Sequence, residues 1–196
     1  MGNIKRCRDE DLKCRRGPSS YSMQDPELVF RELELKKGQS FFDLGCGAGD
    51  YAVQASKILG ESGIVYALDI REEFIAMLTK EFELQKLNNL QAIVSDITEQ
   101  LPINDSCIDL CLIATVLHML NLAIDGEKIF NEVRRVIKPG GRVAVIECKK
   151  EDMHFGPPMQ MRLSPEEIES IMLQCGFYKL SLVDLGYNYM IQFGVK

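Results

Sequence analysis

The residues best suited to chemistry lie in Phe41-Phe42-Asp43-Leu44-Gly45-Cys46-Gly47-Ala48-Gly49-Asp50, an apolar run that reaches an acid and opens into alternating glycines. Such a run reads as a buried strand entering a tight ligand-binding turn and then a helix. Glycine lets a ligand come up to the backbone and lets the following helix pack closely on the strand. Spacing then narrows the ligand. A dinucleotide fingerprint places glycines at the first, third and sixth positions, whereas Gly45, Gly47 and Gly49 are followed by Asp50 at the sixth. An acid there would face the pyrophosphate that a helix N-terminus otherwise attracts. A phosphate-cradling Walker loop is excluded, because no Gly-Lys-Ser or Gly-Lys-Thr follows. Flanked by Asp43 and Asp50, the loop suits a ligand with positive charge and no phosphate.

The elements that must position this turn follow from hydrophobic period and stop signals. Asp25-Pro26-Glu27 starts a helix with Leu28, Val29, Leu33 and Leu35 on its apolar face, ended by Lys37-Gly38. A strand over 40–44 leads to a helix over 50–59, then an apolar strand over 64–68 that ends in Asp69. A longer amphipathic helix over 72–87 precedes a strand over 90–94 that ends at Ser95-Asp96. A strand over 108–114, a helix over 127–137 closed by Lys138-Pro139-Gly140-Gly141, and a strand over 142–148 continue the alternation. Ser164-Pro165-Glu166-Glu167 starts a last helix. The runs 180–185 and 189–195 are joined by only Gly186-Tyr187-Asn188, too short for a helical crossover, so they pair antiparallel. The expected fold is α/β: a Rossmann-like three-layer sandwich with a seven-stranded, mostly parallel sheet and a C-terminal antiparallel hairpin. We expect one domain over 1–196, with 1–25 as an arm or cap and 26–196 as the core.

Composition bounds the function. A chain of 196 residues buries one full core, and no segment approaches the apolar length of a membrane span. The start carries no apolar signal core, so a cytoplasmic location is expected. Net charge of −6 argues against nucleic acid as a default partner, although Lys5, Arg6, Arg8, Lys13, Arg15 and Arg16 make the first stretch basic. The odd count of 7 cysteines reads as reduced thiols, with Cys107, Cys111, Cys148 and Cys175 as small core residues. Cys7 and Cys14 match no zinc spacing, and no metal site is expected.

Taken together, these segments resemble class I S-adenosylmethionine-dependent methyltransferases. Asp43-Leu44-Gly45-Cys46-Gly47-Ala48-Gly49 is similar to that family's first motif, Asp69 to its ribose-binding acid, and Ser95-Asp96-Ile97 to its adenine-contacting segment. Val116-Leu117-His118 resembles the Leu-His that follows the fourth strand, and Lys138-Pro139-Gly140-Gly141 the turn before the fifth. The terminal hairpin matches the reversed strand of that fold. The resemblance covers about 26–196 and is closest to the small-molecule branch that includes ubiquinone and menaquinone C-methyltransferases.

The resemblance implies S-adenosyl-L-methionine as cofactor, S-adenosyl-L-homocysteine as product, and a small-molecule acceptor. Its implied contacts are Asp43, Gly45, Cys46, Gly47, Gly49 and Ala114 along the methionine part, Asp69 on the ribose, Asp96 on the adenine amino group, and Ile70 and Ile97 on the adenine faces. Direct displacement from a sulfonium needs an in-line nucleophile kept from water, and a base only where the acceptor must lose a proton. His118 is the candidate base by position, against a purely structural role for the ring. The acceptor side is expected from Tyr21 in the cap, Glu147 at the end of the fifth strand, Met159 and Arg162 in the following loop, and Tyr187 in the hairpin turn. Two other readings stay open: a non-enzymatic cofactor-binding protein, and an RNA methyltransferase using the basic first stretch.

Overall fold

The computed structural model describes residues 20–195; the basic stretch, Cys7, Cys14 and most of the expected arm lie outside them. Among the described residues seven strands form one sheet: β1 (Ser40–Leu44), β2 (Ile64–Asp69), β3 (Leu90–Val94), β4 (Ile108–Ala114), β5 (Ile137–Cys148), β6 (Phe177–Asp184) and β7 (Asn188–Val195). Their order is β3-β2-β1-β4-β5-β7-β6, with β1 to β5 parallel and β7 antiparallel to both of its neighbours. The helices are α1 (Pro26–Leu33), α2 (Asp50–Leu59), α3 (Glu72–Gln85), α4 (Leu122–Val136) and α5 (Pro165–Gln174), with 3-10 turns at Ser20–Met23, Leu117–Met119 and Met159–Met161. The expected fold is thus the observed one.

Hydrophobic burial builds a core on each face of the sheet. On one face Val29, Leu33, Ala52, Ala55, Ile75 and Leu78 from α1, α2 and α3 pack against Phe41, Val65 and Leu112. On the other, Ile129, Phe130 and Val133 of α4 and Ile168 and Met172 of α5 pack against Phe42, Cys111 and Phe193. Every residue of β1 is buried, as a central strand covered on both faces must be. Asp43 is the one acid in that strand, which is why its surroundings matter below.

Several boundaries move, each for a local reason. Helix α1 stops at Leu33 because Glu34 turns into the left-handed region, so Leu35 lies beyond it. Helix α4 starts at Leu122, one turn before Glu127. Its first turn buries Leu122 and Gly126. Strand β5 begins at Ile137 because Ile137 already pairs with Ile108; Lys138 to Gly141 form an irregularity within it, and Arg142 then pairs with Leu110. Strand β6 begins at Phe177, directly after Gly176, because it pairs with β7 back to Val195. Helix α5 carries the expected capping box, with Ser164 and Glu167 each bonded to the other's backbone amide at 3.3 and 2.7 Å. Among the described residues no helix is long and apolar enough to cross a membrane.

Candidate active site

At the carboxyl edge of the parallel strands, where β1 and β4 lie side by side and their chains leave in opposite directions, a cavity of about 440 Å³ opens. Crevices of this kind are where open α/β sheets bind ligands. The turn after β1 forms its floor. Gly45 and Cys46 amides both donate to the Leu68 carbonyl at 2.8 and 2.9 Å, and the Gly49 amide donates to the Cys46 carbonyl at 2.9 Å. Asp69 fastens this turn to β2: its Oδ2 accepts from the Gly47 amide at 2.8 Å and its Oδ1 from the Arg71 amide at 2.9 Å.

The three glycines do different things. All have positive φ, which glycine adopts without a Cβ penalty. A Cβ at Gly45 would lie 2.5 Å from Val116 Cγ2, and one at Gly49 would lie 2.4 Å from Leu78 Cδ1. Those two therefore buy close packing on the β4 loop and on α3. At Gly47 a Cβ would meet nothing within 4 Å, so the turn is open there to the cavity.

Asp43 is 1 % exposed, and its Oδ2 is buried with no hydrogen-bond partner. Burial pushes its pKa up to about 7, the Ala52 amide works against that, and the nearby charges of Asp69 and Asp50 add to it. An acid left so is suited to a cationic group of a ligand. Arg71 also lines the cavity, but its guanidinium lies 3.6 Å from the centre of the Phe74 ring and its Nε is 3.0 Å from Glu73 Oε1. The Asp96 Oδ1 accepts from both the amide and the hydroxyl of Thr98, each at 2.8 Å. Ile70 is exposed at the mouth and Ile97 buried. Thr115 has φ of 55°, a strained value for a β-branched residue, and its amide bonds the Ile146 carbonyl at 2.7 Å. That kink delivers Val116 onto Gly45.

The cavity brings together Asp43, Gly45, Cys46, Gly47, Asp69, Ile70, Asp96, Ile97 and Ala114 of the sequence-derived set. Gly49 is not among the lining residues; it lies behind the turn, against Leu78. Sequence reasoning missed Ser20, Tyr51, Phe74, Thr98, Met119 and Leu120 as walls. For Thr98 a signal existed, since Asp-x-Thr is a turn in which the acid caps the threonine. The others read as ordinary apolar or loop positions.

The expected acceptor residues separate more widely. Glu147, 1 % exposed, is taken up by His118: its Oε2 lies 2.8 Å from Nδ1 and its Oε1 3.3 Å from the His118 amide. His118 is set between Val116 and Met119, which line the cavity, and is not itself in the lining. Arg162, also expected to meet the acceptor, is buried. Its guanidinium donates to the carbonyls of Pro157, Lys149, Glu151 and Phe155 at 2.8, 3.2, 2.5 and 2.9 Å. Its donors are committed to folding the β5–α5 loop. Met159 and Tyr187 are partly exposed outside the cavity, the latter edge-on to Phe155 at 4.6 Å between ring centres.

Tyr21 meets Tyr51 edge-on at 5.1 Å, beside Ser20 in the cavity wall. This segment is tied down by a relay in which Gln24 Nε2 donates to the Tyr51 hydroxyl and Asn188 Nδ2 donates to Gln24 Oε1, both at 2.5 Å. The remaining oxygen of Asn188 is buried without a partner.

A methyltransferase domain family model matches residues 35–183. A solved structure, a SAM-dependent methyltransferase from Aquifex aeolicus, is 31% identical with a TM-score of 0.83, covering 94% of this chain and 96% of that one. A demethylmenaquinone methyltransferase of Lactobacillus johnsonii is 30% identical over 121 residues, 62% of this chain and 48% of that protein. A ubiquinone/menaquinone biosynthesis C-methyltransferase of Haemophilus ducreyi is 34% identical over 59% of this chain and 44% of that protein. The chain thus spans about half the length of the curated relatives it matches. With a sheet of order β3-β2-β1-β4-β5-β7-β6, a glycine turn stapled by Asp69, and a model match across that whole framework, the chain belongs to the methyltransferase domain family.

Proposed function

We propose that this chain binds S-adenosyl-L-methionine in the cavity and transfers its methyl group to a small, flat, largely apolar acceptor by in-line displacement. The observation that carries the reading is the buried, unpartnered Oδ2 of Asp43 beside a turn that is open at Gly47. An uncompensated acid and a gap for a ligand fit an ammonium-bearing molecule, and the acids at Asp69 and Asp96 fit its hydroxyl and amino groups. The bound cofactor supplies a sulfonium methyl that is already activated for displacement.

The chain's residues bind, orient and exclude water. Asp43 takes the ammonium. Asp69 is oriented by the Gly47 and Arg71 amides and keeps lone pairs for the ribose hydroxyls. Asp96 has its Oδ1 committed to Thr98 and offers Oδ2 to the adenine amino group. Ile70 and Ile97 cover the adenine faces. Val116, Met119 and Leu120 supply an apolar wall that keeps water from the methyl.

The relatives named as quinone-pathway methyltransferases support a ring-bearing acceptor. A hydroxylated ring must shed a proton on methylation, and His118 is the base we assign. A carboxylate only accepts hydrogen bonds, so Nδ1 carries the hydrogen toward Glu147 and Nε2 is the nitrogen left to take the acceptor's proton. Glu147 is therefore a positioning residue.

Calorimetry tests the binding part: S-adenosyl-L-homocysteine should bind the full chain, and Asp69→Ala should weaken it at least about tenfold, the loss of one charge-assisted bond. Absence of binding would sink the reading. Labelled methyl transfer to reduced naphthoquinones and to a cell extract tests the reaction. Binding without turnover on either would favour a binding protein over an enzyme.

A further inference from the structure

Among the described residues, the titratable groups whose charge is felt at or from Asp43 are Cys46 in the glycine turn, Asp50 and Tyr51 on α2, Asp69 on β2 and, across the sheet on its other face, Cys111 on β4. All are acidic or neutral. Among the described residues no ion pair is formed to Asp43, and Arg71, in the same cavity, is engaged by Phe74 and Glu73. The Ala52 amide is the favourable contact, and Oδ2 has none. An anion buried among acids and apolar groups is costly, and a proton relieves that cost at once.

We propose that the cofactor-free protein carries a proton on Asp43 and exchanges it for the ammonium of the incoming cofactor, so that cofactor binding releases one proton. The inference rests on the cofactor reading above and adds a linkage to it. The balance is simple. The Asp43 O–H bond breaks, the proton passes to solvent, and the resulting carboxylate pairs with the ligand ammonium; no covalent bond to the ligand forms. Binding is then weakened wherever the free protein is protonated. The direction agrees with burial raising the Asp43 pKa to about 7. Affinity for an ammonium-bearing ligand should therefore fall about tenfold from about pH 8 to about pH 6, one pKa unit below that point. A ligand with the adenosine part and no ammonium makes no exchange.

The test is a titration of the full chain with S-adenosyl-L-homocysteine and, separately, with 5′-methylthioadenosine, in two buffers of different ionisation enthalpy at each pH. The expected result for S-adenosyl-L-homocysteine is release of close to one proton at about pH 6 and close to none at about pH 8. For 5′-methylthioadenosine the heat should be the same in both buffers. Asp43→Asn should bind S-adenosyl-L-homocysteine without proton release and without the fall in affinity toward low pH. Release that survives in Asp43→Asn, or binding at about pH 6 with no release by the wild type, overturns the exchange and leaves the cofactor reading standing. No binding of either ligand overturns both. Should Asp43→Asn fail to fold, the comparison of the two ligands on the wild type decides alone.

Discussion

A methyl group added at Gly47 would meet open space at the cavity's edge, whereas the same methyl at Gly49 would overlap Leu78. The two glycines of one turn should therefore fail differently. Gly47→Ala places a side chain at φ of 50°, a cost of about 1–2 kcal/mol, and adds bulk in the open space that the proposed cofactor would take. We expect it to fold, melt a few degrees lower and lose S-adenosyl-L-homocysteine binding by at least about tenfold in calorimetry. Gly49→Ala should chiefly destabilise the protein. A second prediction concerns the His118 ring. With Glu147 present, nitrogen NMR should report the Nδ1–H tautomer, and Glu147→Leu should abolish that preference while costing about 1–3 kcal/mol through the unpaired His118 amide. An unchanged tautomer would remove Glu147 as a positioning residue. The turn was legible from the sequence because glycine spacing encodes a local backbone constraint. Glu147 and Arg162 were legible only as charges near the right edge. A charge at a strand end reads the same whether its partner is a ligand or the protein's own backbone, and here both partners are internal.

The loop between β5 and α5 is the element whose character the sequence hid most. Its methionines and prolines suggest an adaptable segment, yet four of its carbonyls converge on one buried guanidinium. Lysine has the charge but not the planar fork, so Arg162→Lys should leave some of those carbonyls unpaired. The expected loss is about 2–3 kcal/mol in urea unfolding, with faster amide exchange confined to the loop and the start of α5. Uniform exchange across the sheet would contradict the local role. Boundaries were misread for related reasons. The start of α4 lies upstream of the periodic stretch that suggests a helix, and the Pro139-Gly140-Gly141 break stands inside β5 because pairing with β4 begins before it. Propensity sees neither the partner strand nor the packed face.

For the molecule as a whole, Asp43 gives stability an unusual dependence on pH. Its pKa is raised on folding, so the folded state holds the proton more tightly, and this contribution is complete below the ordinary aspartate range and is lost as pH rises toward about 7. Glu132 and Glu167 run the other way: Arg135 and Lys150 hold their carboxyls below the usual range, and their contributions disappear as pH falls. Chemical unfolding of the cofactor-free protein should therefore show stability falling between about pH 5 and pH 7 by an amount that Asp43→Asn removes. Saturating S-adenosyl-L-homocysteine should restore it, adding about 2.7 kcal/mol at a hundredfold excess over Kd. The alternation of strands and helices made the sheet legible throughout, since each element announces its own period. The cavity was legible only where a single element carries the information. Ser20, Tyr51 and Phe74 come from a 3-10 turn and two helices and become one wall only after folding. The relay from Asn188 through Gln24 to Tyr51 has a consequence for biosynthesis. Ser20 belongs to the earliest described turn, but its segment is fastened by the first residue of the last strand. On the ribosome, the glycine turn and both of its neighbouring strands emerge long before β7. A nascent chain can hence hold the glycine turn without the Ser20 segment that walls the cavity, and competence to bind a ligand there should arrive in one step, once β7 has left the exit tunnel and inserts between β5 and β6.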